Sequence, residues 1–262
     1  MIEVLEPIVG APVALDELKH KPSRRRTLRA SGPAGTAIVK VYASERAPVV
    51  AARIAALGAG PGEPEVPRVL LVEPARHLVV LSDLRGKPFR TALLEGDTET
   101  CARVGRALGT WHSFWAGREP PPLRRHLVES ELAVLRSRAE TAPRAVAAVL
   151  PSVGGVLSTE WRCSTVVHRD LYEEQILVGD SVGLIDLDDA ALGPPELDIG
   201  NLSAHVELLA LRSGRRLAAA LDAMLDGYAS TGPTLDAELL DRCRTLSQLR
   251  LACIHGEPAL VA

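Results

Sequence analysis

The residues best able to do chemistry lie in one short stretch. His168-Arg169-Asp170 is followed, five residues after Asp170, by the amide of Gln175. An aspartate in such a pattern can accept or orient a hydroxyl proton, and the amide at the fifth place can hold magnesium. The amide is ordinarily asparagine, so Gln175 is one methylene longer than the pattern asks. Eleven residues further on, Asp186 leaves the apolar run Gly183-Leu184-Ile185. Magnesium takes oxygen ligands, commonly one or two carboxylates completed by substrate phosphates. Asp170, Gln175 and Asp186 thus outline a phosphoryl-transfer site, with one base and two metal ligands.

A second feature lies far away in sequence. Lys40 sits inside Ala37-Ile38-Val39-Lys40-Val41. Burying an ammonium costs free energy unless an anion meets it. A lysine in a strand of this kind can meet the α- and β-phosphates of a nucleotide. An edge-strand or snorkelling lysine is the plainer alternative. The 168–175 segment favours the phosphate reading.

These residues need elements to hold them. Arg26–Ala30 and Thr36–Tyr42 are β-rich runs around the turn cluster Ser31–Gly35, which predicts a hairpin. Ser44 reads as the N-cap of a helix over 45–57 that stops at Gly58. Gly58–Pro64 reads as a linker, since the strand–loop–helix order of a nucleotide loop is missing. Val69–Val72 and His77–Leu81 read as strands, and Ser82–Pro88 as a polar connector. In Cys101–Trp115 the residues Val104, Leu108, Trp111 and Trp115 fall on one helical face. Similar periodicity recurs near 129–149, 196–212, 214–229 and 235–254. A small hairpin, 175–178 with 182–186, interrupts these helices. The expected class is α+β, with a β-rich lobe over 1–81, a connector over 82–90 and a helical lobe over 91–262.

Composition sets the limits. The 262 residues are 47% apolar and 24% charged, the mixture of a globular chain. No apolar run reaches the ~18 residues that span a bilayer, so no membrane partner is expected. The net charge of −3 does not suggest nucleic acid. The charge is divided: residues 1–90 hold 14 basic and 9 acidic side chains, net +5, and residues 91–262 hold 16 and 24, net −8. The start MIEVLEPIVG lacks the basic opening of a secretory signal. Cys101, Cys163, Cys243 and Cys253 are widely spaced and form no C-x-x-C pair, which favours a reducing cytoplasm over a zinc site or a disulfide framework.

From about Leu18 to Tyr228 the chain resembles the aminoglycoside phosphotransferase family, the small-molecule branch of the protein-kinase-like fold. The resemblance is most specific over HRDLYEEQILVGDSVGLIDLDDAALGPPELDIGNL, residues 168–202. Leu81–Gly86 resembles the hinge, Gly105-x-x-Leu108-x-x-x-His112 the helix beneath the catalytic loop, and Glu196-x-Asp198-Ile199 the acidic segment that braces it. The resemblance implies a bilobal fold and ATP with Mg2+ as cofactors. It implies Asp170 as base, Gln175 and Asp186 as metal ligands and Lys40 on the ATP phosphates. Adenine would meet the backbone of Ser82 and Leu84, and the acceptor would be a small-molecule hydroxyl. In place of a glycine-rich phosphate loop stands Leu18–Arg25, where backbone amides, the Ser23 hydroxyl and basic side chains could cover phosphates. The resemblance also calls for a helix glutamate opposite Lys40, and the only acid in 44–57 is Glu45, near its start. Asp188 and Asp189 read as ligands of a cationic substrate or extra metal, or as surface acids. His168 and His112 read as structural braces. The alternative to a transferase is a pseudokinase that binds a nucleotide or a partner without transfer.

Overall fold

Alternation along one strand decides where Lys40 points. In Gly35–Tyr42, Ala37 and Val39 are buried on one face, while Ile38, Lys40 and Tyr42 take the other. The computed structural model describes residues 1–120, 122–140, 144 and 161–260. Its first part comprises α1 (Ile2–Val9), β1 (Ala14–Lys21), β2 (Arg25–Gly32), β3 (Gly35–Tyr42), α2 (Ala47–Leu57), β4 (Val69–Glu73) and β5 (Leu78–Ser82). The five strands form one antiparallel sheet in the order β1-β2-β3-β5-β4. Lys40 faces Thr27 of β2 and Val79 of β5. Leu5 and Val9 of α1 join Leu28, Ala37, Val39 and Val80 in a cluster on one face of the sheet. Residues of α2 join Tyr42 and Val79 in the large core on the other face.

The second part is mostly helical. It comprises β6 (Lys87–Pro88), α3 (Phe89–Glu95), α4 (Thr98–Trp115), α5 (Val128–Ala139), β7 (Thr165–Val167), β8 (Ile176–Val178), β9 (Val182–Leu184), β10 (Ala191–Gly193), α6 (Pro195–Ser213), α7 (Ala218–Ala229) and α8 (Ala237–His255). β8 and β9 form the expected hairpin, with Ile176 opposite Leu184. The helical periodicity near 129–149 is realised over Val128–Ala139, and most of its remainder lies outside the described residues. The contact of α4 with α7 is close because glycines permit it. A Cβ on Gly105 would lie 1.9 Å from the Met224 carbonyl oxygen, and one on Gly227 2.1 Å from that of Ala102. This packing sets His112 of α4 against Tyr228 of α7.

Two local expectations are corrected. Ser44 does not cap α2; Arg46 occupies the N-cap position without a side-chain cap, and Pro48 falls in the first turn. A proline there carries its helical φ already and loses no needed donor. Residues 18–25 are not a loop throughout: β1 runs to Lys21, and the turn is confined to 22–24. Its sequence, ALDELKHK, is polar on both faces because β1 is an edge strand.

Candidate active site

The loop after β7 carries the first group. His168 is buried, and its Nε2 donates to the Ile185 carbonyl at 2.7 Å, tying the loop to the segment that presents Asp186. The backbone N–H groups of His168 and Arg169 donate to the two carboxylate oxygens of Asp198, at 2.7 and 2.8 Å. Asp198 is 1% exposed and also meets His112 Nε2 at 3.3 Å, while His112 Nδ1 pairs with the Tyr228 hydroxyl at 2.9 Å. Asn201 Nδ2 donates to the Leu171 carbonyl at 2.7 Å. The result is a loop gripped from below by α4, α6 and α7. Arg169 is held at φ 72°, a left-handed conformation that costs ~1–3 kcal/mol and persists only where its surroundings impose it. Asp170 emerges from this grip exposed toward the cleft.

Asp186 closes the site from the β8–β9 hairpin, also with positive φ at 63°. Its Oδ1 accepts from Lys40 Nζ at 3.0 Å, and its Oδ2 accepts from Arg25 Nη2. Burial pushes this carboxyl up, but Lys40 and Arg25 outweigh burial and hold it well below the usual carboxylate range. Burial likewise works against the Arg25 charge, and Asp188 and Asp186 more than restore it. Gln175 is buried, and its Nε2 donates to Asp186 Oδ2 at 3.5 Å. Tyr172 stacks on His205 with ring centres 4.9 Å apart, and its hydroxyl is pushed up to about 12 by burial and the Asp170 charge.

A cavity of about 460 Å3 lies between the two parts of the chain. Lys19, Arg25, Thr27, Lys40, Ser82, Leu84, Tyr172, Gln175 and Asp186 contribute to its wall. Asp170 borders a smaller adjoining recess of about 30 Å3 with Lys21, Arg24, Arg25 and Asp186. The fold thus brings Lys40, Gln175, Asp186, Ser82 and Leu84 around one cavity with Asp170 at its edge. The Ser82 N–H is already committed to the Arg68 carbonyl at 2.9 Å. Ser23 is exposed on the β1–β2 turn and is absent from both walls; its neighbours Arg24 and Arg25 reach in instead. Arg25, named in the sequence only as part of the basic 18–25 stretch, lines both walls and bonds Asp186. The basic run 24–26 was the available signal.

The donor set suits the groups that a phosphoryl-transfer site uses. Gln175 stands beside Asp186 with its amide nitrogen toward the carboxylate; with the amide turned to present Oε1, the two would form an incomplete oxygen set of the kind substrate phosphates complete around magnesium. Among the described residues no cluster of three His, Cys, Asp or Glu is arranged to hold a metal unaided. Thr27 Oγ1 and Arg25 Nε are buried at the cavity wall with no hydrogen-bond partner among the described residues. Such orphans suit a polyanionic ligand.

Comparison with known proteins places this geometry. The profile described as "Phosphotransferase enzyme family" matches residues 18–239, and the chain belongs to that family. It has a bilobal, protein-kinase-like fold. A choline/ethanolamine kinase family protein from Mesorhizobium loti is similar at TM-score 0.67 and 19% identity, over 97% of this chain and 82% of its own. A spectinomycin phosphotransferase solved with ADP and spectinomycin is similar at TM-score 0.66 and 14% identity, over 98% and 86%. An aminoglycoside phosphotransferase from Streptomyces rimosus is similar at TM-score 0.66 and 18% identity, over 95% and 99%. No curated protein matches the sequence. Among the described residues no helix is long and apolar enough to cross a membrane.

Proposed function

We propose that this chain transfers the γ-phosphate of ATP to a hydroxyl of a small molecule. The observation that carries this reading is the convergence on one cleft of Lys40, Gln175 and Asp186 with the exposed Asp170. Lys40 and Arg25 supply positive charge where phosphates would lie. The hinge segment 82–84 lines the far part of the cavity, where adenine would sit. Gln175 and Asp186 would hold magnesium, which when bound supplies further neutralisation of phosphate charge. Asp170 orients the acceptor hydroxyl and takes its proton late. Most of the rate enhancement then comes from positioning and preorganised charge. The acceptor class is a hydroxylated metabolite or antibiotic, held by the acidic helical part. The four free cysteines fit work in a reducing cytoplasm.

A second reading, a nucleotide-binding module without transfer, is favoured by one observation. Both carboxylate oxygens of Asp186 are already bonded to cations of the protein itself, Lys40 and Arg25. Calorimetry with ATP, with and without magnesium, separates the two when paired with a screen of hydroxyl acceptors. Transfer requires magnesium-dependent binding and a phosphorylated product. Asp170→Asn is expected to keep nucleotide affinity and lose about 10²–10⁴-fold in turnover. A variant that turns over like the parent removes Asp170 from the role of base. Binding indifferent to magnesium, with no acceptor phosphorylated, favours the second reading.

A further inference from the structure

The lysine that meets nucleotide phosphates needs an anion to aim it, and in this chain the packed helix does not provide one. α2 reads APVVAARIAAL; it contains no acid, and its single charged side chain is Arg53. Glu45, the expected candidate, is exposed and precedes the helix. Lys40 is nevertheless 4% exposed and well paired. Its Nζ donates to Asp188 Oδ1 at 2.5 Å and to Asp186 Oδ1 at 3.0 Å.

The two aspartates are not equivalent. Asp186 lines the cavity, and its side chain is 16% exposed. Asp188 lies behind Lys40, 2% exposed and outside the cavity wall. Its Oδ2 accepts from the Tyr42 hydroxyl at 2.8 Å and from Arg25 Nη1. Its backbone carbonyl accepts from Arg53 Nη1 of α2. One residue therefore ties together β2, β3 and α2. The sign of charge on α2 is matched to this arrangement: a cation there grips the carbonyl of the residue that carries the acid. An ammonium has three protons. With one on Asp188 and one on Asp186, the third is left for a ligand.

We infer that Asp188 is the positioning residue for Lys40, acting from the turn after the β8–β9 hairpin in place of a helix glutamate and linking nucleotide affinity to the seating of α2. The inference rests on the reading of Lys40 as a phosphate-binding residue. It assigns Asp188 no direct contact with nucleotide or metal, and it removes this residue from the surface acids and from the candidates for a cationic substrate.

The test is a double-mutant cycle read by ADP affinity without magnesium, where the lysine contributes and the metal does not. Asp188→Asn and Lys40→Ala should each weaken ADP binding by about tenfold, and the double variant should bind no worse than Lys40→Ala alone. The magnesium concentration for half-maximal effect should be unchanged in Asp188→Asn. Tyr42→Phe keeps the carboxylate and removes one of its supports, so it serves if Asp188→Asn does not fold. It should weaken ADP binding about threefold in the parent and not at all in Lys40→Ala. Additive losses, or unchanged ADP affinity with an altered magnesium requirement, would overturn the inference. A parent that binds ADP but phosphorylates nothing refutes the transferase reading alone, and the cycle still decides this one. A parent that binds no nucleotide refutes both.

Discussion

The two halves of the site are held in place by different physics. Around Asp170 the loop backbone is fixed by buried side chains: Asp198 takes two N–H groups, Asn201 donates to Leu171, and His168 donates to Ile185. Around Lys40 the structure is held by side-chain ions that meet across the cleft, with Arg25 and Lys40 on the sheet and Asp186 and Asp188 on the hairpin side. Backbone-directed hydrogen bonds hold one geometry. Ion pairs can be exchanged when a charged ligand arrives. Asp170, the proposed base, belongs to the first kind of region, whose position must not vary. Lys40 and Arg25, the proposed phosphate-binding cations, belong to the second, where a charged ligand could change their partners.

Removing the brace of the first region should have the largest effect on stability. Asp198→Ala strips two buried N–H groups of their acceptor and takes from His112 its buried anion. Breaking such a pair from one side costs ~3–5 kcal/mol. Denaturant unfolding should show that loss, and turnover should fall with it as Asp170 loses its aim, while ADP affinity in the folded fraction stays near the parent value. Equal losses of nucleotide affinity and turnover would erase the distinction between the two regions.

The same division governs what could be read from the sequence. His168, Asp170, Gln175 and Asp186 stand within nineteen residues, and their types and spacing alone suggested phosphoryl transfer. Lys40 was legible because a charge inside an aliphatic strand demands a reason. Arg25 was read only as one of several basic side chains near phosphates, and Asp188 only as a ligand of a cationic substrate or metal or a surface acid, because their pairing joins positions 163 apart and each looks ordinary in its own neighbourhood. Asp188 in particular could be taken for a surface acid until the fold buried it behind Lys40. The long helices α4, α6, α7 and α8 were legible from apolar periodicity, whereas α3 was not. β1 was not, since an edge strand with polar side chains on both faces carries no alternation to detect. α1 drew no expectation at all, being eight residues long with Pro7 inside it.

A more distant support of the catalytic loop can be titrated. Glu131 of α5 is 3% exposed and accepts from His126 Nε2 at 2.7 Å and from Arg250 at 3.4 Å. Arg250 in turn donates to the side chain of Asn201, whose amide holds Leu171. Burial raises the Glu131 carboxyl, but the His126 hydrogen bond and the charge of Arg250 bring it below its ordinary 4.5. A carboxylate depressed in the folded state stabilises above its unfolded pKa and loses that contribution as pH falls through the folded value. Glu131→Gln should therefore cost ~2 kcal/mol at pH 7, and the gap to the parent should narrow steadily below pH ~4.5. Unfolding curves at pH 7 and pH 3.5 check this. A gap of the same size at both would mean that the charge contributes nothing and that packing alone accounts for the loss.

The outer ion pairs mark where the exchangeable region ends. Asp189 meets Arg46 at 2.8 Å and Arg24 at 3.3 Å, but these side chains are 34–54% exposed, against 2–16% for the inner cluster. Water and salt screen such pairs, which contribute ~0–1 kcal/mol. Burial works against the Arg46 charge, and Asp189 more than offsets it. Arg46→Ala should lower stability by less than ~1 kcal/mol, and the loss should vanish in about 1 M salt, where the Debye length is ~3 Å. Asp188→Asn should keep most of its effect in the same salt, because water reaches that carboxylate poorly. If both variants respond alike to salt, burial is not what separates the inner ions from the outer ones. The cleft would then have to be treated as one solvated field of charge rather than as a buried node with a screened rim.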